Sequence, residues 1–259
     1  MLLTIDVGNT NMVFSVFDGE TLKGSFRLTT VAGRTSDELG MDIWNQLSRL
    51  RIRPEDLADV IISSVVPPVM AALTDALVRY LGKTPIVVDV DVDPGLPYGV
   101  ESNEHLGTDR SVACVAAIHK YGAPLILADM GTATTVDAIS REGVYMGGCI
   151  TAGARISIEA LFQKTALLPQ VNLALPEKVL SGTAVGQIQA GAVLGYIGAM
   201  ERLITQAREE IDEPEAIVVA TGGLAPVIAA GTDLIDVVDG QLIPDGLRLL
   251  YRKYLGERI

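Results

Sequence analysis

The sequence predicts an α/β protein made of two related lobes, each built on a mixed sheet, and three observations predict it. The first is an internal repeat. Leu3 to Val16 (LTIDVGNTNMVFSV) aligns without gaps to Ile126 to Ile139 (ILADMGTATTVDAI), so that Asp6, Gly8 and Val13 fall on Asp129, Gly131 and Val136 at a constant offset of 123. The second is the order of periodicities: strand-length apolar or alternating runs come first in both halves, and helix-length amphipathic stretches follow. The third is a glycine-containing turn after an apolar, acid-terminated strand in each copy, the mark of a β-hairpin.

Each element follows from its local pattern. After the first hairpin, Gly24 to Thr30 reads as a third strand, and Gly143 to Ile150 as its counterpart in the second half. Asp37 to Arg51 places Leu39, Ile43, Leu47 and Leu50 at helical spacing, and Ile156 to Phe162 is the helical stretch of the second copy. Further strands are predicted at Val60 to Val66, Pro85 to Asp89 and Ala216 to Thr221, and further helices at Pro68 to Leu81, Ser111 to Tyr121, Thr183 to Ile211 and Gln241 to Leu255. Gln163 to Gly182 has two prolines and little periodicity and reads as a long loop. The repeat puts the domain boundary near residues 115 to 122, giving lobes 1–118 and 119–259, with the C-terminal helix crossing back to the first lobe.

Composition excludes several function classes. With 259 residues, 49% of them hydrophobic, the chain can bury a substantial core. Its formal net charge of -12, with basic residues scattered, repels a phosphate backbone and argues against DNA or RNA as partner. No apolar run reaches the roughly 20 residues of a membrane span, and the start MLLTIDVGNTN is too short in apolar residues for a signal peptide. Cys114 and Cys149 lack metal-ligand spacing and read as reduced core thiols, so a cytoplasmic location without membrane attachment is expected.

Three turns are candidates for holding an anion. Asp6-Val7-Gly8-Asn9-Thr10-Asn11 puts a carboxylate at a strand end, followed by a glycine that lets backbone amides approach closely. A plain hairpin would use the same residues, but a second copy at Gly131-Thr132-Ala133-Thr134 and a strand-to-helix turn at Thr221-Gly222-Gly223-Leu224 favour a nucleotide site. Gly107-Thr108-Asp109-Arg110 precedes a helix and has two readings. Thr108 or Asp109 is an N-terminal cap, or Asp109 is a general base facing an alcohol, with Arg110 holding an anion. His105 and His119 have no partner pattern for a metal, and Trp44 reads as a core or interface anchor. The small residues of Ala184 to Met200 suit close helix packing and mark the expected homodimer seam.

The paired lobes resemble the ribonuclease-H-like duplication of the actin-like ATPases and the acetate and sugar kinases, in which nucleotide binds in an interlobe cleft. The ordered segments IDVGNTN (5–11), SSVVP (63–67), LGTDR (106–110), ADMGTATTVDAI (128–139), GGCI (147–150), GTAVGQIQAG (182–191), TGGLA (221–225) and DGLRLLY (245–251) resemble the motif set of type III pantothenate kinases. That resemblance implies transfer of the γ-phosphoryl group of ATP to pantothenate, with Mg²⁺ and a monovalent cation, K⁺ or NH₄⁺, required. It implies that Asp6, Val7, Gly8, Asn9, Thr10, Asn11, Met12 and Val13 hold ATP phosphates, with Asp6 also orienting Mg²⁺, and that Thr132 binds phosphate. Asp109 would be the catalytic proton acceptor. Val100, Gly107, Thr108, Asp109, Arg110 and Thr183 would contact pantothenate, the last across a homodimer interface, and Asp129 would ligate the monovalent cation.

The acceptor side departs from the family pattern. Where the family usually has Tyr-x-Asn-Pro, this chain reads Val100-Glu101-Ser102-Asn103, with Tyr98 two positions earlier. Ala152-Gly153 stands for a usual Pro-Gly, and Gly182 for an Asn before Thr183. Losing an aromatic hydroxyl removes a hydrogen bond of about 0.5 to 1.5 kcal/mol, enough to shift substrate preference. Two other functions therefore stand beside pantothenate phosphorylation: a nucleotide-binding regulator, and a kinase for another small alcohol.

Overall fold

Strand pairing carries the duplication further than residue identity does. In the computed structural model, which describes residues 1–100 and 106–257, the first sheet consists of β1 (Leu2–Val7), β2 (Asn11–Asp18), β3 (Thr21–Thr29), β4 (Asp59–Ser64) and β5 (Ile86–Val87) in the order β3-β2-β1-β4-β5. The second consists of β6 (Leu125–Met130), β7 (Ala133–Ile139), β8 (Tyr145–Ala152), β9 (Ile217–Thr221) and β10 (Val237–Val238) in the order β10-β9-β6-β7-β8, the same topology read from the other edge. In both, the first three strands are an antiparallel meander and the other two run parallel to the first.

The pairing also corrects the gap-free alignment. Asp6 faces Val13 across the first hairpin, but Asp129 faces Thr135, not Val136. The second turn is one residue shorter, and the following hairpin restores the offset. A bulge then falls at corresponding places, between Val16 and Phe17 in β2 and between Ala138 and Ile139 in β7, with Gly24 and Gly147 opposite. Two hairpins bent at one shared position point to one ancestral design, since a bulge is a built feature of a strand pair.

The helices are α1 (Ser36–Arg49), α2 (Pro67–Ala76), α3 (Thr108–Tyr121), α4 (Ala154–Lys164), α5 (Ala184–Glu210), α6 (Ala225–Ala229) and α7 (Leu242–Tyr254). A capping box at Thr35 and Glu38 starts α1. α2 widens into a π-helical turn, Leu77–Leu81, and stops at Gly82 with φ 66°. The long loop expected after α4 contains neither helix nor strand up to the start of α5. α3 starts three residues before the expected Ser111. The Gly107 carbonyl accepts the amides of Arg110 and Ser111 at 3.1 and 3.2 Å, so Thr108 and Asp109 lie in the first helical turn and are not the cap.

Contacts divide the described residues into two compact units, 1–95 with 106–116 and 242–257, and 96–100 with 117–241. The division falls within α3, and α7 belongs to the first unit. In that unit Leu3, Ile5 and Val7 pack with Phe14, Leu39, Ile43 and Leu73 on one face of the sheet. Leu2 and Ile61, on the other face, pack with Val112 of α3 and Leu247 and Leu250 of α7. Gly246 makes that approach possible, because a Cβ there would lie 2.4 Å from the Val112 carbonyl oxygen. In the second unit Ile126, Ala128, Val193, Ile197, Met200 and Val218 form the core between its sheet and α5.

Candidate active site

In the first unit the site begins where β1 runs out. Asp6 shares a face with Leu2 and Thr4 and lies beside Ser63 of β4, with its Oδ1 buried. Gly8 N donates to the Asn11 carbonyl at 3.1 Å, and Thr30 closes the turn from outside: its Oγ1 donates to the Gly8 carbonyl at 2.7 Å and its amide to the Thr10 carbonyl at 3.0 Å. Val7 and Met12 bury their side chains in the core, while Asn9, Thr10 and Asn11 are exposed. The result is a pinned loop with a carboxylate at its base.

Asp109 is brought to the same end of the sheet by hydroxyls. Ser63, the neighbour of Asp6, donates from Oγ to Thr108 Oγ1 at 2.8 Å, and Thr108 Oγ1 donates to the Ser64 carbonyl at 3.2 Å. The N-terminus of α3 is thereby tied to the carboxyl end of β4, the place where parallel strands present ligands. The Asp109 Oδ1 accepts the Arg110 amide at 2.8 Å, and a Cβ on Gly107 would stand only 2.5 Å from that oxygen. Asp6, Gly107, Thr108, Asp109 and Arg110 thus belong to one neighbourhood of one unit.

The second unit repeats the arrangement with different residues. Asp129 lies beside Thr221 of β9, as Asp6 lies beside Ser63. The Gly153 amide donates to the Thr132 carbonyl at 3.2 Å, as Thr30 does to Thr10. A Cβ on Gly153 would lie 2.4 Å from the Thr132 oxygen, and one on Gly222, at φ 89°, 2.6 Å from Asp129 Oδ1. Both glycines keep the turn and the carboxylate clear of side chains. Thr134 and the Tyr196 hydroxyl hydrogen-bond behind the turn, and burial pushes the Tyr196 phenol up, with the Thr134 bond opposing and the Asp129 charge adding to the rise.

Val100 lies against Gly147 in the second unit, and Glu101 to His105 lie outside the described residues. Thr183 caps α5, its Oγ1 accepting the Gly186 amide at 3.2 Å. Sequence reasoning missed Thr30 and Gly153 as turn supports, although they stand 123 residues apart, the offset of the repeat itself. It also missed the Ser63–Thr108 link, which joins residues 45 apart and leaves no local pattern. His119 is exposed, Cys114 is buried and Cys149 half-buried.

The sequence model of the type III pantothenate kinase family matches residues 2–206. The chain belongs to that family. The type III pantothenate kinase of Geobacillus kaustophilus is 43% identical over 253 residues, covering 98% of this chain and 98% of the relative. That of Agathobacter rectalis is 41% identical over 253 residues, covering 98% and 97%. Among solved structures, a protein described as a 2-dehydro-3-deoxygalactonokinase from Sinorhizobium meliloti superposes with TM-score 0.64 at 11% identity, covering 100% of this chain and 98% of its own. A protein described as a Baf family transcriptional activator from Campylobacter jejuni gives 0.63 at 18%, covering 98% and 100%. At those identities the structures speak for the fold alone: this type III pantothenate kinase family member carries the duplicated α/β fold of the sugar kinases.

Proposed function

We propose that the chain transfers the γ-phosphoryl group of ATP to the primary hydroxyl of pantothenate, giving 4′-phosphopantothenate and ADP, the first step of coenzyme A synthesis. The observation that carries this reading is identity of 41 to 43% along 98% of the chain with type III pantothenate kinases. Phosphoryl transfer asks little covalent help of a protein and much positioning, and the residues divide accordingly. The loop from Asp6 to Val13 and Thr132 receive ATP phosphates through backbone amides and hydroxyls, which suits a chain of net charge -12 whose basic residues are scattered. Asp109 accepts the proton of the attacking hydroxyl, while Gly107, Thr108, Arg110, Val100 and Thr183 hold the acceptor.

The donor set fits a divalent cation that relies on its substrate. Among the described residues no group of three or more His, Cys, Asp and Glu side chains is arranged for a metal ion. Mg²⁺ suits such a place, because it is commonly held by one or two carboxylates together with phosphate oxygens and water; here Asp6 is the carboxylate. When bound, Mg²⁺ neutralises the charge that builds on the phosphate oxygens. Asp129, kept clear by Gly222, supplies a carboxylate oxygen for K⁺ or NH₄⁺.

A homodimer completes the reading. The face of α5 opposite Val193, Ile197 and Met200 carries Gly191, Gly195 and Gly198, around which a Cβ would meet nothing within 4 Å. Ile156, Leu161 and Phe162 of α4, which packs against α5, are exposed, as are Leu180 and Val185 around the start of α5. The reading includes a cytoplasmic location, and no helix among the described residues is long and apolar enough to cross a membrane.

The test is ADP release with pantothenate, Mg²⁺ and K⁺. Turnover is expected only with all three, and Asp109→Asn should lose at least about a hundredfold in kcat, within the range general-base catalysis contributes. Unchanged turnover in that variant removes Asp109 as the base. The altered stretch at Val100 favours one other reading, a kinase for another small alcohol. Turnover with a different alcohol and none with pantothenate would select it.

A further inference from the structure

The end of α1 carries a feature that phosphoryl transfer does not use. α1 closes with the Arg51 amide donating to the Ser48 carbonyl at 2.9 Å and the Ile52 amide to the Leu47 carbonyl at 3.0 Å. That pattern places residue 51 in the left-handed region, where glycine is the usual choice. Here the residue is arginine, at φ 60°. A side chain kept where the backbone favours none points to a use for it, since such strain collects at ligand sites.

The side chain lines a cavity of about 340 Å³, a volume within the range of small-molecule pockets. Its other walls are Trp44, Leu47, Ser48, Ile52, Arg53 and Pro54. Trp44, expected as a core or interface anchor, is 42% exposed. Leu47 and Ile52 are buried and give the cavity an apolar floor. The two arginines differ. Arg53 is held by Asp56, with Nη2 donating to Oδ1 at 3.0 Å, whereas among the described residues no carboxylate pairs with the Arg51 guanidinium. In a chain of net charge -12, an exposed tryptophan face beside an uncommitted guanidinium matches a flat apolar ring joined to an anionic group.

We propose that this cavity is a second ligand site, separate from the residues assigned to phosphoryl transfer, and that it takes a small aromatic anion: the ring lies on Trp44 and the phosphate or carboxylate pairs with Arg51. The concavity and the single free cation favour such a molecule over a protein surface.

Trp44 is the only tryptophan of the chain, so its fluorescence reads the site directly. Phenyl phosphate titrated into the full-length protein should quench that emission saturably, with saturating ATP·Mg²⁺ present or absent. Inorganic phosphate and phenol, each offering half of the ligand, should not saturate it over the same range. Arg51→Gly is the decisive variant, because glycine suits the left-handed position and the protein should melt no lower than wild type. Its affinity for phenyl phosphate should nonetheless fall at least about tenfold, the loss expected for one charge-assisted pair. Superimposable curves for Arg51→Gly and wild type overturn the proposal. So does a quench abolished by ATP, which places the ligand at the Asp6 turn, or an emission that follows protein concentration alone, which marks the face as a contact between copies.

Discussion

A single methyl group at residue 107 would stand 2.5 Å from Asp109 Oδ1, closer than any side chain tolerates. The carboxylate would have to turn away, while the cores on both faces of the first sheet stay untouched. Gly107→Ala is therefore expected to lower kcat by about tenfold or more, since a displacement of about 1 Å at a reacting group can cost a hundredfold, with the melting temperature little changed. Steady-state kinetics beside a thermal melt checks this, and an undiminished kcat would show that the Asp109 carboxylate need not sit where it does. Gly222 answers a different demand. At φ 89°, with Met130 backbone 2.6 Å from where its Cβ would be, it is held to glycine by conformation and by contact together. Gly222 and Asp129 were each legible in the chain; that the one makes room for the other was not.

Among the elements, α7 joins β1 and β4, the two strands whose carboxyl ends carry Asp6 and Ser63. It packs on β1 and β4 and crosses α3 at Gly246. Near its end the Tyr251 hydroxyl donates to Asp59 Oδ2 at 2.5 Å, at the start of β4. Burial first, then that bond to a carboxylate, pushes the Tyr251 phenol up to about 12. A raised pKa means that the folded state favours the protonated phenol. The stability it contributes is complete below the ordinary tyrosine value of about 10 and is lost as pH rises from there through about 12. Melting temperatures measured from pH 9 upward should fall more steeply for the wild type than for Tyr251→Phe, and parallel curves would count against the link. The sequence marked α7 by its apolar spacing, but nothing local to residue 251 named Asp59, which lies 192 residues away.

For the whole molecule, nucleotide binding and folding are linked, because a ligand that binds only the folded chain stabilises it. At about 100 times its dissociation constant, ATP·Mg²⁺ should add about 2.7 kcal/mol, visible as a higher melting temperature. Asp6→Asn should remove most of that rise by taking away the carboxylate at the base of the loop proposed to hold phosphate, and an equal rise in the variant would dissociate Asp6 from nucleotide binding. The duplication itself is a whole-molecule property. The two sheets share topology, bulge position and the amide bridges from Thr30 to Thr10 and from Gly153 to Thr132, with few residues in common.

By itself the sequence determined the α/β class, the twofold repeat, most elements to within a few residues, and the turns at Asp6, Gly107 and Asp129. These are carried by periodicity, by glycine and by short spacings, all of which act between near neighbours in the chain. Only the tertiary structure decided that Thr135 and not Val136 stands opposite Asp129, that α3 begins at Thr108, and that Ser63 ties Asp109 to the strand beside Asp6. It also decided that Arg51 and Trp44 line one cavity. Strand register, helix starts and hydroxyl links are set by partners distant in sequence, and no local pattern of residues records which partner will be met.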